Sequence, residues 1–334
     1  MRAGITIHSG DHSLQDIIDY GRAAERFGYD GFWLTEESGK EAFAVLAMVA
    51  SRTRKIRVGT GIVNIYSRTP TLLSMSITTL DEISRGRAFL GLGTGGVGFI
   101  TRGHGLQIVD SVNRMREYVN IIRKLVGFER FSYEGKYFNI KNFQLRQEPR
   151  RKQIPVYLAG LNPKMQQLAG EVADGTIVNM LTDDGIREIR ENIRIGAERT
   201  GRDPGKVGIY ALSMTLCGQD ESAIEAMKKT IAFYCASTHY HHILTNAGYG
   251  EEAKRIKELW DQNKHDEAVK LVPDDLMRKL TLSGTPGEIR KRYREYISQG
   301  VYPIVYPIVR HGSVKKDTLY AMRVAAGKNT SPRV

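Results

Sequence analysis

The chain has 334 residues, 41% of them hydrophobic and 26% charged, a composition typical of folded globular proteins and too apolar for a disordered chain. Its 49 Lys and Arg outnumber its 37 Asp and Glu by 12, a surplus that favours a polyanionic partner, either nucleic acid or an anionic cofactor. Two cysteines exclude a disulfide scaffold and zinc-finger spacing, and no apolar run approaches the roughly 20 residues of a membrane span.

The amino terminus and the spread of basic residues narrow these classes. The first eight residues alternate like a strand and lack the basic segment and apolar core of a secretory signal, so we expect a cytoplasmic protein. Basic residues are spread along predicted helices without a zinc finger, a basic zipper or an aromatic RNA-binding signature. We therefore expect no nucleic-acid partner and no membrane association; a diffuse basic surface without a partner is the alternative.

Hydrophobic periodicity predicts strands and helices that alternate along the chain. The predicted strands span residues 3–8, 31–35, 56–61, 87–93, 154–159, 176–179, 207–216 and 303–309. The predicted helices span residues 13–27, 41–51, 69–84, 109–126, 163–173, 183–199, 221–234, 286–298 and 315–326. Ser13 with Asp16, and Pro70 in the third helix, are helix-start signals.

This alternation predicts parallel βαβ units, and eight strands close a (β/α)8 TIM barrel. An open doubly wound sheet is the competing architecture, but residues 9–12 after the first strand lack its dinucleotide-binding fingerprint. The length would also suit two domains. We expect instead one barrel domain over residues 1–334 with two insertions, a hairpin-like one at about 128–152 and a helical one at about 236–282.

In such a barrel, ligands bind at the carboxyl ends of the strands, so the candidate site residues directly follow each strand. They are His8, Thr35, Glu36, Glu37, Gly61, Ile62, Val63, Asn64, Gly93, Thr94, Gly95, Gly96, Gly160, Leu161, Asn162, Asn179, Cys217, Arg310 and His311. His8 ends an apolar strand, where an imidazole could donate or accept a proton near neutral pH. Glu36 and Glu37 are adjacent, so at most one faces the barrel mouth, and a solvated pair is the alternative.

Two loops could approach a planar or anionic ligand. Residues 91–98 are rich in glycine, which lets the backbone approach a ring or a phosphate, although tight turns explain most glycine clusters. Residues 160–163 open a helix, with Asn162 as a candidate cap; the same geometry offers N–H groups and a positive dipole end to an anion. Both interpretations of each loop stay open.

Other chemistries lack their motifs. The chain has no P-loop motif and no Gly-x-Ser-x-Gly elbow, which excludes a P-loop ATPase and disfavours a serine hydrolase. His239, His241 and His242 suggest a metal site, but no carboxylate or cysteine completes it in register, so we expect no metal. Cys217 and Cys235 lack CxxC spacing and are expected to be buried small residues.

Several blocks of the sequence, taken together, resemble the bacterial-luciferase-like superfamily. They are residues 77–95, residues 56–64 with Tyr66, Arg68 and Pro70, residues 155–160, residues 169–175, and residues 284–286 followed by a helix and Gly300. The similarity covers nearly the whole chain. Within the superfamily, the chain looks closest to the branch that uses the deazaflavin coenzyme F420, especially methylenetetrahydromethanopterin reductase.

The resemblance implies a luciferase-like TIM barrel, an enzyme that acts on a small molecule, and a homodimer or higher homo-oligomer. Coenzyme F420 would lie against a bulge after the third strand, with a non-prolyl cis peptide at Gly61–Ile62; FMN is the alternative cofactor. The implied cofactor-binding residues are Thr35, Gly61, Ile62, Val63, Asn64, Gly93, Thr94, Gly95, Gly160, Leu161, Asn179 and Met180. The last four would bind the cofactor phosphate, and the anionic tail of F420 would account for part of the basic surplus.

The chain also departs from the family. Glu36 and Glu37 replace a common Asp-His pair, and Thr6 and Gly96 occupy positions where the methanopterin reductase has carboxylates. Proton transfer is therefore assigned to His8, Glu36 or Glu37 as catalytic residues. The implied reaction is hydride transfer between C5 of the deazaflavin and an electrophilic carbon of a substrate such as a methylene-tetrahydropterin. An FMN-dependent monooxygenase that uses dioxygen and a nonenzymatic flavin-binding protein of the same fold are the alternatives.

Overall fold

The computed structural model describes residues 3–310 and 314–328. Its strands are β1 Gly4–His8, β2 Gly31–Thr35, β3 Arg57–Thr60, β4 Val63–Asn64, β5 Ala88–Gly93, β6 Phe131–Glu134, β7 Asn139–Phe143, β8 Val156–Ala159, β9 Gly175–Asn179, β10 Gly208–Cys217, β11 Leu282–Gly284 and β12 Val301–Pro307. Its α-helices are α1 Leu14–Phe27, α2 Ala42–Ser51, α3 Pro70–Ser84, α4 Ser111–Val126, α5 Pro163–Val172, α6 Asp183–Arg199, α7 Glu221–Cys235, α8 His241–Asn246, α9 Gly250–Asp261, α10 His265–Lys270, α11 Asp274–Leu280, α12 Pro286–Ser298 and α13 Val314–Ala325.

Eight of these strands form a closed parallel barrel. In spatial order they are β12, β1, β2, β3, β5, β8, β9 and β10, and the pairing of β10 with β12 closes the ring. The short strands β4 and β11 extend the sheet beside β5 and β10. The predicted (β/α)8 TIM barrel is therefore confirmed.

The helices begin where the sequence provides caps. The Ser13 side chain accepts a hydrogen bond from the Asp16 N–H at the start of α1. Thr285 and Glu288 form a reciprocal capping box at the start of α12. These acceptors satisfy N–H groups that lack a partner inside the helix, and α6 and α12 have the boundaries that periodicity predicts.

Aromatic side chains fill the amino-terminal end of the barrel interior. The Trp33 ring lies 4.2 Å from the Phe89 ring and 5.2 Å from the Tyr157 ring, measured between centroids, and Tyr302 belongs to the same buried cluster. Such a layer is worth more than its buried area alone, because tilted ring pairs are mutually attractive. This aromatic layer closes the amino-terminal end of the barrel, so a ligand is expected to bind at the carboxyl-terminal mouth.

The inward-facing residues of β1 extend from this aromatic layer to the carboxyl-terminal mouth. A side chain at Gly4 would place its Cβ 2.6 Å from the Trp33 Nε1 atom, so only glycine fits there. Because side chains alternate along a strand, Thr6 and His8 share this inner face above Gly4. The residues between them, Ile5 and Ile7, pack in the core between the barrel and its helices.

The two segments predicted as insertions contain a β-hairpin and a group of helices. Strands β6 and β7 form an antiparallel hairpin that packs against α4 through a cluster around Ile121 and Leu125. Helices α8 to α11 pack with α7 around a second apolar cluster that includes Met227, Leu244 and Ile256. Within residues 3–310 and 314–328, no helix combines the length and the hydropathy needed to cross a membrane.

Candidate active site

The predicted site residues lie at the carboxyl-terminal rim of the barrel, in three groups. The first follows β1 and β2 (His8, Thr35, Glu36, Glu37), the second follows β3 and β5 (Gly61, Ile62, Val63, Asn64, Gly93, Thr94, Gly95), and the third follows β8 and β9 (Gly160, Leu161, Asn179, Met180). These strands are consecutive around the ring, so the groups occupy one continuous arc of the rim. His311 lies outside the described residues.

The predicted bulge separates β3 from β4. The β3–β5 and β4–β5 registers differ by one residue, which is the signature of a bulge. Thr60 bridges the interruption, because its hydroxyl donates to the Gly91 carbonyl and accepts from the Gly91 N–H, both at 2.8 Å. A side chain thus replaces the main-chain pairing that the bulge removes.

The predicted cis peptide at Gly61–Ile62 is wrong, because the described part of the chain contains no cis peptide bond. The Gly61 N–H donates to the Leu34 carbonyl at 2.7 Å, and the Ile62 carbonyl accepts from the Glu36 N–H at 3.2 Å. The Gly61 N–H and the Ile62 carbonyl, which flank this trans peptide, are therefore satisfied by strand β2 and the loop after it.

The glycines of β5 let the bulge approach closely. A Cβ at Gly91 would lie 2.3 Å from the Gly61 carbonyl oxygen, and one at Gly93 would lie 2.7 Å from the Ile62 Cδ1 atom. Ile62 is half-buried and packs on the aromatic cluster of the barrel interior. The glycine-rich stretch therefore has a packing explanation, and it leaves Ile62 as an apolar surface at the rim.

Asn64 is buried beside this surface, with 3% of its area exposed. Its Oδ1 atom accepts hydrogen bonds from the Tyr66 N–H at 3.0 Å and the Ser67 N–H at 2.8 Å. Its Nδ2 group is buried and has no hydrogen-bond partner. A buried donor without a partner is costly, so the site is suited to a ligand that supplies an acceptor there.

A small pocket of about 30 Å³ lies between the carboxyl ends of β8 and β9. All four residues implied to bind phosphate, Gly160, Leu161, Asn179 and Met180, line it. Helices α5 and α6 begin at this pocket, which Gln166 and Gly185 also line, so two positive dipole ends meet there. The predicted cap is also present, since the Asn162 side chain accepts from the Met165 N–H at 3.1 Å.

Two neighbouring side chains contact the one carboxylate that lines this pocket in the described structure. The Glu188 carboxylate contacts His242 Nε2 at 2.8 Å and accepts from Asn246 Nδ2 at 2.9 Å. On the opposite wall, the Asn179 Oδ1 atom accepts from the Met180 N–H at 2.9 Å, while Met180 has a left-handed φ of 56°. Such a conformation in a side chain other than glycine is strained and is typical of functional sites.

His8 and Glu37 form a dyad at the ends of β1 and β2. The His8 Nδ1 atom lies 3.3 Å from a Glu37 carboxylate oxygen, and the imidazole stacks on the Tyr306 ring at 4.5 Å with an interplanar angle of 11°. This hydrogen bond from His8 lowers the pKa of the Glu37 carboxyl group. Glu37 and Tyr306 together fix the ring, and Nε2 is left for another partner.

Glu36 has a different environment from its neighbour. Its carboxylate forms two hydrogen bonds with Arg68, at 2.5 and 2.8 Å, and also accepts from the Ala42 N–H at 3.0 Å. Its side chain is 8% exposed. As alternation predicts, only one of the two adjacent glutamates faces His8, and both oxygens of Glu36 are engaged elsewhere.

Sequence reasoning missed three tyrosines at the mouth: Tyr306, Tyr234 and Tyr240. Tyr306 follows the inward-facing Tyr302 and Ile304 by strand alternation, a signal that could have been read from the sequence. The Tyr234 and Tyr240 rings pack edge to face at 4.9 Å, and Asn179 donates to the Tyr240 hydroxyl at 3.4 Å. Burial raises the pKa of all three phenols, so each is neutral near pH 7.

The histidine cluster of the helical insertion does not converge on an ion. Within the described residues, no group of three or more His, Cys, Asp or Glu side chains could hold a metal. Ser237 contacts His239, whereas His242 contacts Glu188. The two cysteines are buried, Cys217 at the end of β10 and Cys235 in the apolar cluster of α7.

The Glu37 pairing predicts a pH-dependent contribution to stability. Because its pKa in the folded protein lies below the ordinary 4.5, the ionised form stabilises the fold above that value, and the contribution is lost as the pH falls through the lowered pKa. Glu37→Gln should therefore reduce the free energy of unfolding at pH 7, by at most about 1 kcal/mol because the pair is partly exposed. Urea unfolding at pH 7 and pH 3.5 measures this, and a difference of the same size at both values would contradict it.

Comparison with known proteins supplies the family. Residues 1–302 match the family described as luciferase-like monooxygenase. The chain is 31% identical over 303 residues to the 5,10-methylenetetrahydromethanopterin reductase of Archaeoglobus fulgidus, with 88% of this chain and 90% of that protein covered. The corresponding reductase of Methanolobus tindarius is 28% identical over 308 residues, with coverages of 91% and 93%.

A solved structure agrees with these sequence matches. The coenzyme F420 dependent tetrahydromethanopterin reductase from Methanopyrus kandleri superposes with a TM-score of 0.85 at 25% sequence identity, covering 98% of this chain and 97% of that one. The resemblance read from the sequence blocks is thus confirmed. This chain belongs to the luciferase-like monooxygenase family.

Proposed function

We propose that this chain is a coenzyme F420-dependent oxidoreductase that transfers a hydride between the deazaflavin C5 and an electrophilic carbon of a small substrate. The reductases among its relatives make a methylene-tetrahydropterin one candidate substrate. The observation that carries the proposal is the buried, unpartnered Asn64 amide beside the β3–β4 bulge. The polar edge of a deazaflavin offers an acceptor for that amide, and its apolar face suits the half-buried Ile62.

The small pocket between β8 and β9, called the anion pocket from here on, supports the same assignment. The starts of helices α5 and α6 and the backbone of Gly160 and Leu161 surround this pocket. Groups of this kind would bind a cofactor phosphate. Thr35, Val63, Thr94 and the glycines of the implied set would then shape the rim between this pocket and Asn64. FMN also carries a phosphate, so the pocket alone does not choose between the two cofactors.

When bound, F420 supplies or accepts the hydride. The chain itself would orient the ring through Asn64 and move a proton through His8. Glu37 accepts from His8 Nδ1 and so orients the imidazole, while Nε2 can give its proton to the substrate. We assign Glu37 to orient His8, and we assign no proton transfer to Glu36 because Arg68 and the Ala42 N–H engage its carboxylate.

Cofactor titrations test this proposal directly. We expect saturable binding of F420 to the purified protein, followed by fluorescence, and oxidation of reduced F420 with substrates from a panel of imines, carbonyl compounds and pterins. Tight FMN binding without detectable F420 affinity would instead favour the dioxygen-using monooxygenase that the family description suggests. Cofactor binding without any turnover would favour a nonenzymatic flavin-binding protein.

Two variants that differ only in charge test whether the anion pocket binds the cofactor phosphate. Gly185 lines this pocket in the first turn of α6, and a Cβ there would contact Thr182 Oγ1 at 3.2 Å. Gly185→Asp and Gly185→Asn have nearly the same shape and differ by one negative charge. We expect the aspartate variant to bind F420 about tenfold more weakly than the asparagine variant, a difference of about 1.4 kcal/mol. Equal affinities, measured by the same titration, would show that the phosphate binds elsewhere.

A further inference from the structure

A second pocket, of about 160 Å³, lies between the carboxyl ends of β1 and β12 and helix α7. Around the ring, β1 and β12 lie across from β5 and β8, which carry five of the twelve implied cofactor-binding residues. None of the implied cofactor-binding residues lines this pocket, whereas His8 and Tyr306 do. The pocket therefore lies beside the proton-transfer dyad and on the side of the mouth away from the cofactor residues.

Thr6 is the exceptional residue of this pocket. It is 0% exposed, and its Oγ1 atom has no hydrogen-bond partner among the described residues. By strand alternation it shares the inner face of β1 with His8, which lines the same pocket. A buried hydroxyl that has lost its hydrogen bonds to water without gaining a partner destabilises the fold. A ligand that supplies the missing partner would explain why such a hydroxyl is present at Thr6.

Two other polar side chains of the pocket, Thr230 and His12, have partners. The Thr230 hydroxyl donates to the Ala226 carbonyl at 3.0 Å, and His12 Nδ1 contacts the Tyr20 hydroxyl at 3.2 Å. Burial lowers the pKa of His12, which keeps that imidazole uncharged near neutral pH. Of the polar side chains that line this pocket, Thr6 is thus the one whose hydrogen-bonding atom is both buried and unpartnered.

The charges around the pocket determine which ligand chemistry suits it. The nearby carboxylates, Asp11 and Glu37, are exposed, so a cationic group at the depth of Thr6 would find no buried counter-charge. The Lys40 ammonium already donates to the Ser9 and His12 carbonyls. A hydroxyl or carbonyl group needs no counter-charge, and either one can hydrogen-bond with Thr6. The volume is close to the roughly 150 Å³ of a cavity that admits a six-membered ring.

We propose that this pocket binds a neutral hydroxyl or carbonyl group of the substrate, with Thr6 Oγ1 as its buried hydrogen-bond partner. The inference rests on the proposed function in one respect, which is that the ligand is the substrate of the F420-dependent reaction. An ordered water is the other source of the same hydrogen bond, and the experiment separates the two.

The test compares two valine variants and three probes of one shape. Thr6→Val removes the unpartnered hydroxyl, and Thr230→Val removes a hydroxyl of the same pocket that already has a partner. The probes are cyclohexanol, cyclohexylammonium and cyclohexanecarboxylate, titrated by ligand-observed NMR. We expect the native protein to bind cyclohexanol about tenfold more tightly than either ion, Thr6→Val to lose about that factor, and Thr230→Val to keep the native affinity.

Two results would overturn the proposal. Equal cyclohexanol affinity in the two variants would mean that Thr6 takes water only, and tighter binding of either ion would contradict the neutral ligand. Thermal unfolding is the independent check: the midpoint of Thr6→Val should not fall, because the hydroxyl has no partner in the fold, and a clear fall would also overturn the proposal. F420 titration of the same samples tests the proposed function separately from the Thr6 proposal. Failure to bind F420 would contradict the proposed function but would not change the Thr6 result.

Discussion

His8→Gln is expected to lower kcat for F420-dependent turnover by about 10²- to 10⁴-fold, the range attributed to a positioned general acid or base. Glutamine keeps a polar side chain beside Glu37 but has no proton to exchange near neutral pH. The stack on Tyr306 and the contact to Glu37 hold the native imidazole in place, so its loss should affect the chemical step more than cofactor binding. Steady-state rates and F420 titrations of the same preparation measure both quantities.

A second histidine provides the control for this result. His265 in α10 stacks on Trp260 at 4.3 Å, away from the rim residues, and His265→Gln should retain the native rate. If His8→Gln lost F420 affinity and kept kcat at saturating cofactor, His8 would be a binding residue. The proton donor would then have to be sought among the tyrosines of the mouth.

Arg68→Met is expected to lower the free energy of unfolding by about 3–5 kcal/mol, the usual cost of removing one partner from a buried ion pair. The Arg68 and Glu36 side chains are 14% and 8% exposed, and Glu36 raises the pKa of the guanidinium through their hydrogen bonds. Without Arg68, the Glu36 carboxylate keeps only the Ala42 N–H as partner. Urea denaturation of the two proteins measures the difference.

Two further variants sharpen the interpretation of Arg68→Met. Arg194 also contacts two carboxylates, but its side chain is 47% exposed, so Arg194→Met should cost at most about 1 kcal/mol. Adding Glu36→Gln to Arg68→Met removes the unpaired charge, so the double variant should be more stable than additivity predicts. Strict additivity, or equal losses at Arg68 and Arg194, would contradict a buried pair.

The barrel, the family and the enzyme class could be predicted because their signals are local or repeated. Strand and helix periodicity, together with caps such as Ser13 and Asn162, indicated the element order within short windows of sequence. The rule that ligands bind at the carboxyl ends of barrel strands then predicts that His8, Asn64 and the loops after β8 and β9 lie at one rim. The roles of these residues stay predictions.

What sequence reasoning missed depends on contacts between distant residues. The Gly61–Ile62 peptide is trans in the described chain, not cis as the resemblance implied. The hydrogen bonds that tie this bulge to strand β2 and the loop after it join residues distant in sequence, which no local pattern reveals. The different environments of Glu36 and Glu37 arise because Arg68, 32 residues from Glu36, reaches only one of them. The stack of Tyr306 on His8 joins the two ends of the chain and required the barrel to close.

The apolar cluster shared by α7 to α11 has a consequence for how the ligand-binding surface can diversify. This cluster is separate from the one between the barrel and its outer helices, yet Tyr240, His242 and Asn246 beside it reach Asn179 and the pocket after β8 and β9. Amino-acid changes in this segment can therefore alter one wall of the site without disturbing the packing that closes the barrel. The substrate selectivity of the protein can therefore change through this segment while the barrel sequence is kept. Recombination at the ends of the segment offers a second route to new specificities.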